Sequence, residues 1–438
     1  MNLSQWLDRI QALHPNEIDL GLHRLREVAQ RLGLSRPAPL VITVAGTNGK
    51  GSTVAMLDAI LSSAGYRTGT YTSPHLLKYN ERIRIVGQMA TDAQLCESFA
   101  LIDQVRAEIT LTYFEFSTLA GLLLLEQAAL DVAILEVGLG GRLDAVNLID
   151  PDLAIVTSIG LDHQDWLGDT RELIAAEKAG IFRANVPALC GDADIPVSLA
   201  QYAEDSGCRL YAQERDFGYT VGSTSWCWWG TGSKGEPRVL EDLPIPELDV
   251  VNASTVMQAI ALLPLSFSVP QTAIVTALQG LGLQGRFQSL HDPVRGVSVR
   301  VDVAHNPHAA VLLAEKLKAM RGAGCGLTGR VRVVLAMMAD KDHIGFHGAL
   351  ESAVDIWYIA AFAQPRCLAA EALHDKLLQA GASLCGPFGT VADAYVQACA
   401  DSDKNDLVLV TGSFVTVADV MQFIAEMESN LTMAAPGR

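Results

Sequence analysis

The sequence has 438 residues, of which 50% are hydrophobic and 18% are charged. This length predicts two large or three average domains, with enough apolar material for closed cores. The formal net charge of −17 argues against nucleic acid or an anionic membrane as the main partner, because either would need a basic face. An anionic substrate would therefore have to be held by local cations.

The cysteines and the N-terminus indicate where the protein works. Eight cysteines are scattered with no CxxC pair, so neither a zinc site nor a disulfide framework is predicted. The first fifteen residues lack a basic region followed by an apolar core, and the longest apolar run, Leu119 to Leu125, is too short to cross a bilayer. We therefore expect a cytoplasmic protein with reduced thiols and no membrane partner.

The stretch Val41 to Thr53, VITVAGTNGKGST, predicts a strand, a phosphate loop and a helix. Glycines at 46, 49 and 51 let backbone N–H groups approach an anion, the helix N-terminus adds positive charge, and Lys50 can reach terminal phosphates. This chemistry favours a nucleoside triphosphate. The spacing departs from the usual GxxxxGK[ST], because Gly51 separates Lys50 from the hydroxyl of Ser52. The loop alone therefore does not identify the hydroxyl that would bind magnesium.

Further candidate residues follow the next predicted strands. The apolar run Val132 to Val137 carries Glu136 to its end, and the strand Leu153 to Ser158 leads to Asp162 and His163. Ligands gather at the carboxyl ends of strands in open parallel sheets, so Glu136 is a candidate magnesium ligand. The loop TSPHLLKYNERIRI, residues 72–85, holds Ser73, His75, Lys78, Arg82 and Arg84; a solvated basic turn explains its cations as well as a ligand site does.

The order of strand-like and helix-like segments predicts an α/β protein. We expect an N-terminal domain, 1–290, built on a mostly parallel sheet of the P-loop ATPase type, with a small antiparallel sheet within 208–246 whose tryptophans pack rather than bind ligand. A C-terminal Rossmann-like α/β domain, 291–438, should follow, with Asp302, His305 and Asn306 after its first strand.

These motifs together resemble the Mur-ligase superfamily and, within it, the dihydrofolate synthase/folylpolyglutamate synthase family. The resemblance runs over nearly the whole chain, through HPNEIDLGLHRL, AGTNGKGS, SPHLLKYNERIRI, TYFEFSTLAG, LEVGLGGRLDAVN, TSIGLDHQDWLG, EKAGIF, GRFQ, DVAHNPHAA and TGSF. TYFEF and the length are most similar to the bifunctional enzymes of proteobacterial type. Two positions depart from the usual motifs: Val146 in LDAVN and Gln284 in LQGRF.

The resemblance implies the cofactors ATP and Mg²⁺ and roles for particular residues. The ATP-binding positions would be Thr47, Asn48, Gly49, Lys50, Gly51, Ser52, Asn252, Arg286 and Asp302. Magnesium would be held by Ser73, Glu136 and His163, and Lys178 in EKAGIF matches a lysine that the family carries as a carbamate, a ligand for a second magnesium. The pterin-binding positions would be Thr112, Tyr113, Phe114, Glu115, Leu143, Asp144 and Ala145.

The implied reaction is ATP-driven amide formation through an acyl phosphate, with Lys50, Lys178 and His305 as the catalytic positions. L-Glutamate would be joined to dihydropteroate or to the γ-carboxylate of a tetrahydrofolate, by a monomeric enzyme. Three alternatives remain: a monofunctional folylpolyglutamate synthase, a Mur-type ligase acting on a cell-wall precursor, and a nucleotide switch that makes no amide. The last leaves EKAGIF and the second α/β domain unexplained.

Overall fold

The computed structural model describes residues 1–322 and 327–434. The chain divides into two compact units, Met1–Leu281 and Gly282–Arg438. This division differs from the boundary expected at 290/291, because Gln288–His291 form a strand that pairs antiparallel with Ser298–Val301. That pairing makes the strand part of the second unit's sheet.

An eight-stranded sheet forms the centre of the first unit. Its strands are β1 (Leu40–Ala45), β2 (Thr68–Tyr71), β3 (Ile83–Ile85), β4 (Gln88–Met89), β5 (Val132–Glu136), β6 (Leu153–Val156), β7 (Pro187–Cys190) and β8 (Arg209–Ala212). The order is β4-β3-β2-β5-β1-β6-β7-β8, and only the pairings of β3 and β4 are antiparallel. β1 is buried at every position, as a parallel strand covered on both faces should be.

Ten helices belong to this unit: α1 (Leu3–Gln11), α2 (His23–Leu32), α3 (Lys50–Ser63), α4 (Asp92–Arg106), α5 (Tyr113–Gln127), α6 (Gln164–Leu167), α7 (Arg171–Ala179), α8 (Val197–Ser206), α9 (Val250–Leu262) and α10 (Gln271–Leu278). The apolar run from Ser117 to Ala129 predicts a helix that starts at Ser117, and α5 begins four residues earlier, at Tyr113. Thr112 and Glu115 form a reciprocal capping box there, with N–H···O distances of 3.2 and 2.8 Å. The TYFEF segment is therefore the first turn of a helix.

The predicted small antiparallel sheet is confirmed as β9 (Gly218–Val221), β10 (Ser225–Thr231) and β11 (Pro237–Pro244), in the order β11-β10-β9. Trp226 and Trp228 are buried, as expected for packing residues. Gln258 on α9 exchanges two hydrogen bonds with the backbone of Thr231, at 3.0 and 2.7 Å. These bonds attach the small sheet to α9.

The second unit is the expected α/β domain. Its strands are β12 (Gln288–His291), β13 (Ser298–Val301), β14 (Val331–Leu335), β15 (Ile356–Ala360), β16 (Leu384–Phe388) and β17 (Leu407–Thr411), in the order β12-β13-β17-β14-β15-β16. All pairings except β12 with β13 are parallel. Its helices are α11 (Pro307–Arg321), α12 (His343–Leu350), α13 (Ala370–Gln379), α14 (Val391–Ala400) and α15 (Phe414–Ala434). Within the described ranges, no helix of either unit is long and apolar enough to cross a membrane.

Candidate functional site

Four neighbouring parallel strands bring the predicted residues of the first unit to one edge of the sheet. In spatial order β2, β5, β1 and β6 lead into Ser73, Glu136, the phosphate loop and the segment 157–163. Ligand sites of open parallel sheets lie at this carboxyl edge. The expectation that these segments converge is met by the topology itself.

The phosphate loop adopts the backbone that its glycines allow. Gly49 has φ +86° and precedes α3, and Gly46 has φ +145°. The ammonium of Lys50 donates to the carbonyl oxygens of Gly46 and Thr47 at 2.9 and 3.2 Å. Lys50 therefore lies across the loop, with its charge at the helix N-terminus where phosphates are favoured.

Thr157 and Ser158, which sequence reasoning gave no role, fix this loop from the next strand. The Thr157 hydroxyl donates to the carbonyl oxygen of Asn48 at 2.6 Å, and the Asn48 N–H donates to Ser158 Oγ at 3.1 Å. Thr157 Oγ1 also lies where a Cβ on Gly46 would stand. The hydroxyls in the motif TSIG, placed directly after a strand beside the loop, are the signal that could have identified them.

Asn252, expected at the nucleotide, lies against the same loop. A Cβ built on Gly49 would be 2.5 Å from the Asn252 side-chain oxygen. Asn252 is on α9, and contacts between α9 and α3 hold that helix beside the loop. The structure thus brings Asn252 together with Gly49 and Lys50.

Two of the three expected magnesium ligands are in direct contact. The backbone N–H of Ser73 donates to Glu136 Oε2 at 3.2 Å, and Glu136 is only 5% exposed. His163 occupies the position just before α6 and has a left-handed backbone, φ +51°, which is uncommon for a residue other than glycine. Strained residues of this kind concentrate at functional sites.

Lys178 is not the surface lysine that its local sequence suggests. It is 4% exposed on α7, and the glycine loop after β5 packs on it, since a Cβ on Gly141 would be 2.8 Å from the Lys178 carbonyl oxygen. Burial, and then the positive charge of Lys50, lower the pKa of the Lys178 amine from 10.5 to about 7, while Asp162 and Asp144 act in the opposite direction. A large fraction of this amine is therefore uncharged near neutral pH.

Asp144 is buried in its own loop. Its two carboxylate oxygens accept N–H groups from Leu139 and Val146 at 2.8 and 2.9 Å. Burial raises the pKa of Asp144 to about 6, although these backbone bonds and Lys50 act to lower it. Val146, which stands where the usual motif LDATN has threonine, is fully buried within the hydrophobic core.

Two residues of the expected pterin segment at the start of α5 make different kinds of contact. Glu115 is 4% exposed and receives Arg24 Nη2 at 3.1 Å as well as the Thr112 N–H, so its carboxylate is used inside the protein. Phe114 packs on the glycine loop, because a Cβ on Gly138 would clash with its ring. Phe114 therefore contacts the loop that joins Glu136 to Leu143, Asp144 and Ala145.

The basic loop after β2 is not a uniformly solvated turn. Arg82 is 7% exposed, and its Nε donates to His75 Nδ1 at 2.9 Å. Burial, and then the Arg82 charge, lower the pKa of His75 to about 4. Lys78 is exposed and Arg84 is half-buried. Of the two interpretations of this loop, a solvated basic turn therefore does not account for Arg82.

The second unit carries its predicted residues at the carboxyl ends of β13 and β17. The guanidinium of Arg286 lies 5.3 Å from the centroid of the Phe414 ring, and His305 packs on the same ring. His305 Nδ1 is 2.9 Å from the Val303 carbonyl oxygen, which can only accept, so the neutral ring keeps its lone pair on Nε2. Asp302 accepts the Phe287 and Ala304 N–H groups, and burial raises its pKa.

The residues of the first unit fit ATP and magnesium. Magnesium favours oxygen ligands and retains several waters, so one carboxylate and one hydroxyl beside a phosphate loop suffice to hold it. Among the described residues no group of three or more histidines, cysteines or carboxylates could hold a metal, whereas the expected set uses only Glu136 and His163 from those types. Thr157 and Asn252 fill the space that a Cβ on Gly46 or Gly49 would need, so the loop can keep this backbone only with glycine at both positions. The loop N–H groups and the N-terminus of α3 are the groups that fit phosphate oxygens.

Comparison with known protein families assigns both halves of the chain. Residues 44–211 match the Mur ligase middle domain, and residues 285–414 match the glutamate ligase domain of Mur ligases. The dihydrofolate synthase/folylpolyglutamate synthase of Escherichia coli K12 is 46% identical over 422 residues, covering 96% of this chain and 95% of that protein. The protein of that name from Haemophilus influenzae Rd is 42% identical, covering 95% and 96%.

Solved structures of the same family resemble this chain over nearly its whole length. E. coli FolC in complex with DHPP and ADP has a TM-score of 0.90 at 44% identity, covering 98% of this chain and 99% of that one. The bifunctional enzyme of Yersinia pestis, complexed with AMPPNP and Mn, has a TM-score of 0.88 at 45% identity, covering 97% and 98%. This chain is therefore a ligase and belongs to the dihydrofolate synthase/folylpolyglutamate synthase family of the Mur ligases.

Proposed function

We propose that this protein joins L-glutamate to the carboxylate of dihydropteroate and to the γ-carboxylate of tetrahydrofolates, at the expense of ATP. The single observation that carries the proposal is the convergence of the phosphate loop, Glu136 and Ser73 at one sheet edge, with buried Lys178 close to Lys50. It occurs in a chain that is 46% identical to a relative with both activities in its name. A related solved structure has Mn, AMPPNP and L-glutamate bound, which are stand-ins for Mg²⁺ and ATP together with the amino-acid substrate of this reaction.

ATP would lie with its phosphates on residues 47–52. The N–H groups of the loop and the helix N-terminus would receive the phosphate oxygens, and Lys50 would neutralise charge that develops as the terminal phosphoryl leaves. Asn252 would contact the nucleotide beside Gly49. In the second unit, the family resemblance assigns Arg286 and Asp302 to the nucleotide.

Ser73, Glu136 and His163 would hold magnesium, which supplies charge neutralisation at the phosphates when bound. Lys178 would hold a second magnesium as a carbamate, a group that forms only from an uncharged amine. Its burial and the proximity of Lys50 favour that uncharged form. Asp144 and the start of α5 would bind the pterin.

The chemical step would be transfer of the γ-phosphoryl group to the substrate carboxylate, followed by attack of the glutamate amine on the acyl phosphate. The amine must lose a proton, and His305, with its lone pair on Nε2, is the proposed acceptor. We further propose that the enzyme acts in the cytoplasm, where its substrates would be made, and as a monomer, the state that the family resemblance implies.

Isotope transfer tests the mechanism. Dihydropteroate labelled with ¹⁸O in its carboxylate should deliver one ¹⁸O atom to the inorganic phosphate released, because the acyl phosphate passes one carboxylate oxygen to phosphorus. Dihydrofolate should appear in equal amount by mass spectrometry. Unlabelled phosphate alongside the same product would rule out an acyl phosphate.

A further inference from the structure

A buried arginine lies in the loop that carries Ser73, and the proposed chemistry gives it no role. Arg82 ends a short 3-10 turn, Tyr79–Arg82, immediately before β3, and is 7% exposed. A buried arginine is costly unless its charge is used, so its partners indicate what it does.

Arg82 contacts the chain on both sides of Ser73. Its carbonyl oxygen accepts the Thr72 N–H at 2.8 Å, and its Nε–H donates to His75 Nδ1 at 2.9 Å. Because Thr72 precedes Ser73 and His75 follows it by two, these two bonds fix the backbone from which the Ser73 hydroxyl projects. The Ser73 N–H itself is bonded to Glu136.

Glu81, the residue before Arg82, completes this frame. Its carboxylate accepts the N–H groups of Leu76, Leu77 and Lys78 at 2.7, 2.9 and 2.7 Å. The side chains of Glu81 and Arg82 thus close the loop 72–82 on itself.

The same guanidinium reaches the start of α5. It lies 5.5 Å from the centroid of the Tyr113 ring and 5.4 Å from that of Tyr79, within the range of cation–π attraction. Tyr113 and Tyr79 also meet edge to face, with ring centroids 6.2 Å apart. Arg82 therefore contacts both the loop proposed to hold magnesium and the segment proposed to hold the pterin.

We propose that Arg82 is a positioning residue that fixes the Ser73 hydroxyl for the metal and the Tyr113 ring for the pterin in one arrangement. This inference rests on the proposed function, because the metal and the pterin are the ligands that the proposed function assigns to these two segments. The two contacts of the Arg82 side chain have different roles. The bond to His75 positions the loop that carries Ser73, and the packing on Tyr113 positions the pterin segment.

The test uses the full-length protein and four measured quantities: the Mg²⁺ concentration for half-maximal ADP release, the KM for dihydropteroate, the KM for L-glutamate, and the Tm. Arg82→Met removes both contacts, and we expect the Mg²⁺ requirement and the KM for dihydropteroate each to rise about tenfold, as for loss of one charge-assisted hydrogen bond. The KM for L-glutamate should stay within twofold. Arg84→Met, which removes a charge two residues further along, is the matched control and should change none of the three kinetic constants.

A pair of His75 variants separates the two contacts and covers the case in which Arg82→Met does not fold. His75→Leu removes the acceptor and should raise the Mg²⁺ requirement without changing the KM for dihydropteroate. His75→Asn keeps an oxygen acceptor where Nδ1 stood and should restore the wild-type requirement. Equal behaviour of the two His75 variants would overturn the proposal, as would unchanged constants in a folded Arg82→Met.

Direct Mn²⁺ binding, followed by electron paramagnetic resonance with a non-hydrolysable ATP analogue, separates this inference from the proposed function. Weaker Mn²⁺ binding by His75→Leu than by His75→Asn supports the role of Arg82 even where no pterin is turned over. Absence of ADP release by the wild-type protein would contradict the proposed function alone. Equal Mn²⁺ binding by the two variants in an active enzyme would contradict the role of Arg82 alone.

Discussion

The amine of Lys178 is buried close to the ammonium of Lys50. Burial and that neighbouring charge lower the pKa of Lys178 to about 7, so the folded protein carries a lysine that loses its proton near neutral pH. The unfolded chain would keep this proton up to a pH of about 10.5. Burying this amine therefore lowers the free energy of unfolding near neutral pH.

Lys178→Met should raise stability while abolishing activity. Between pH 7 and 10.5 the unfolded state binds the extra proton, so the wild-type penalty is full below pH 7 and vanishes as the pH approaches 10.5. We expect a gain of the order of a few kcal/mol at pH 7, shrinking with rising pH, in denaturant unfolding with CO₂-depleted buffer. A methionine variant less stable than wild type at pH 7 would contradict this account. ADP release should fall about 100-fold or more.

Thr157→Val should weaken ATP binding without changing the pterin site. The variant keeps the shape of the side chain but loses the 2.6 Å bond to the Asn48 carbonyl oxygen, which holds the phosphate loop. We expect the KM for ATP to rise about tenfold and the KM for dihydropteroate to stay constant. Thr157→Ser keeps the hydroxyl and should behave as wild type; equal losses in both variants would exclude the hydrogen bond as the cause.

Gly138→Ala should act on the pterin substrate instead. The added Cβ clashes with the Phe114 ring, which must move away from the loop after β5. We expect about a tenfold higher KM for dihydropteroate with little change for ATP, measured by ADP release. Gly348→Ala is the control, because its Cβ would meet no atom within 4 Å. A higher KM for ATP alone would place Phe114 outside the pterin site.

Arg286→Ala should impair the use of ATP and leave the fold intact. Arg286 packs its guanidinium on Phe414 at the surface of the second unit, where a truncated side chain leaves no large cavity. We expect about a tenfold or larger rise in the KM for ATP with an unchanged circular dichroism spectrum. The exposed Arg295 supplies the control, Arg295→Ala. Unchanged kinetics in Arg286→Ala would refute the nucleotide role.

Much of the first unit could be predicted from the sequence because its signals are local. The β-branched run before Gly46 predicts β1, and an acid at the end of an apolar strand places Glu136 at the sheet edge. Both follow from the period of the strand and the carboxyl-edge rule for parallel sheets. The spacing of the phosphate loop does not identify the hydroxyl that would bind magnesium. Ser73 is a candidate, because it lies beside Glu136.

The remaining features depend on contacts distant in sequence. Arg82 is buried because Tyr113, on another element, covers it, and a run of charges gives no sign of that. Gln288–His291 belong to the second unit because they pair with β13, a register that the loop composition does not show. The start of α5 does have a local signal, since T-x-x-E at Thr112 is a capping-box pattern, whereas the apolar run alone indicates a start at Ser117.

The most direct test of the central claim is ADP release by the purified protein with MgATP and L-glutamate, with dihydropteroate in one reaction and tetrahydrofolate in another. We expect release in both, each matched by a product heavier by one glutamate residue. Release with tetrahydrofolate alone would restrict the protein to folylpolyglutamate synthesis. No release with either substrate would contradict the assignment and return the cell-wall ligase and nucleotide-switch alternatives to consideration.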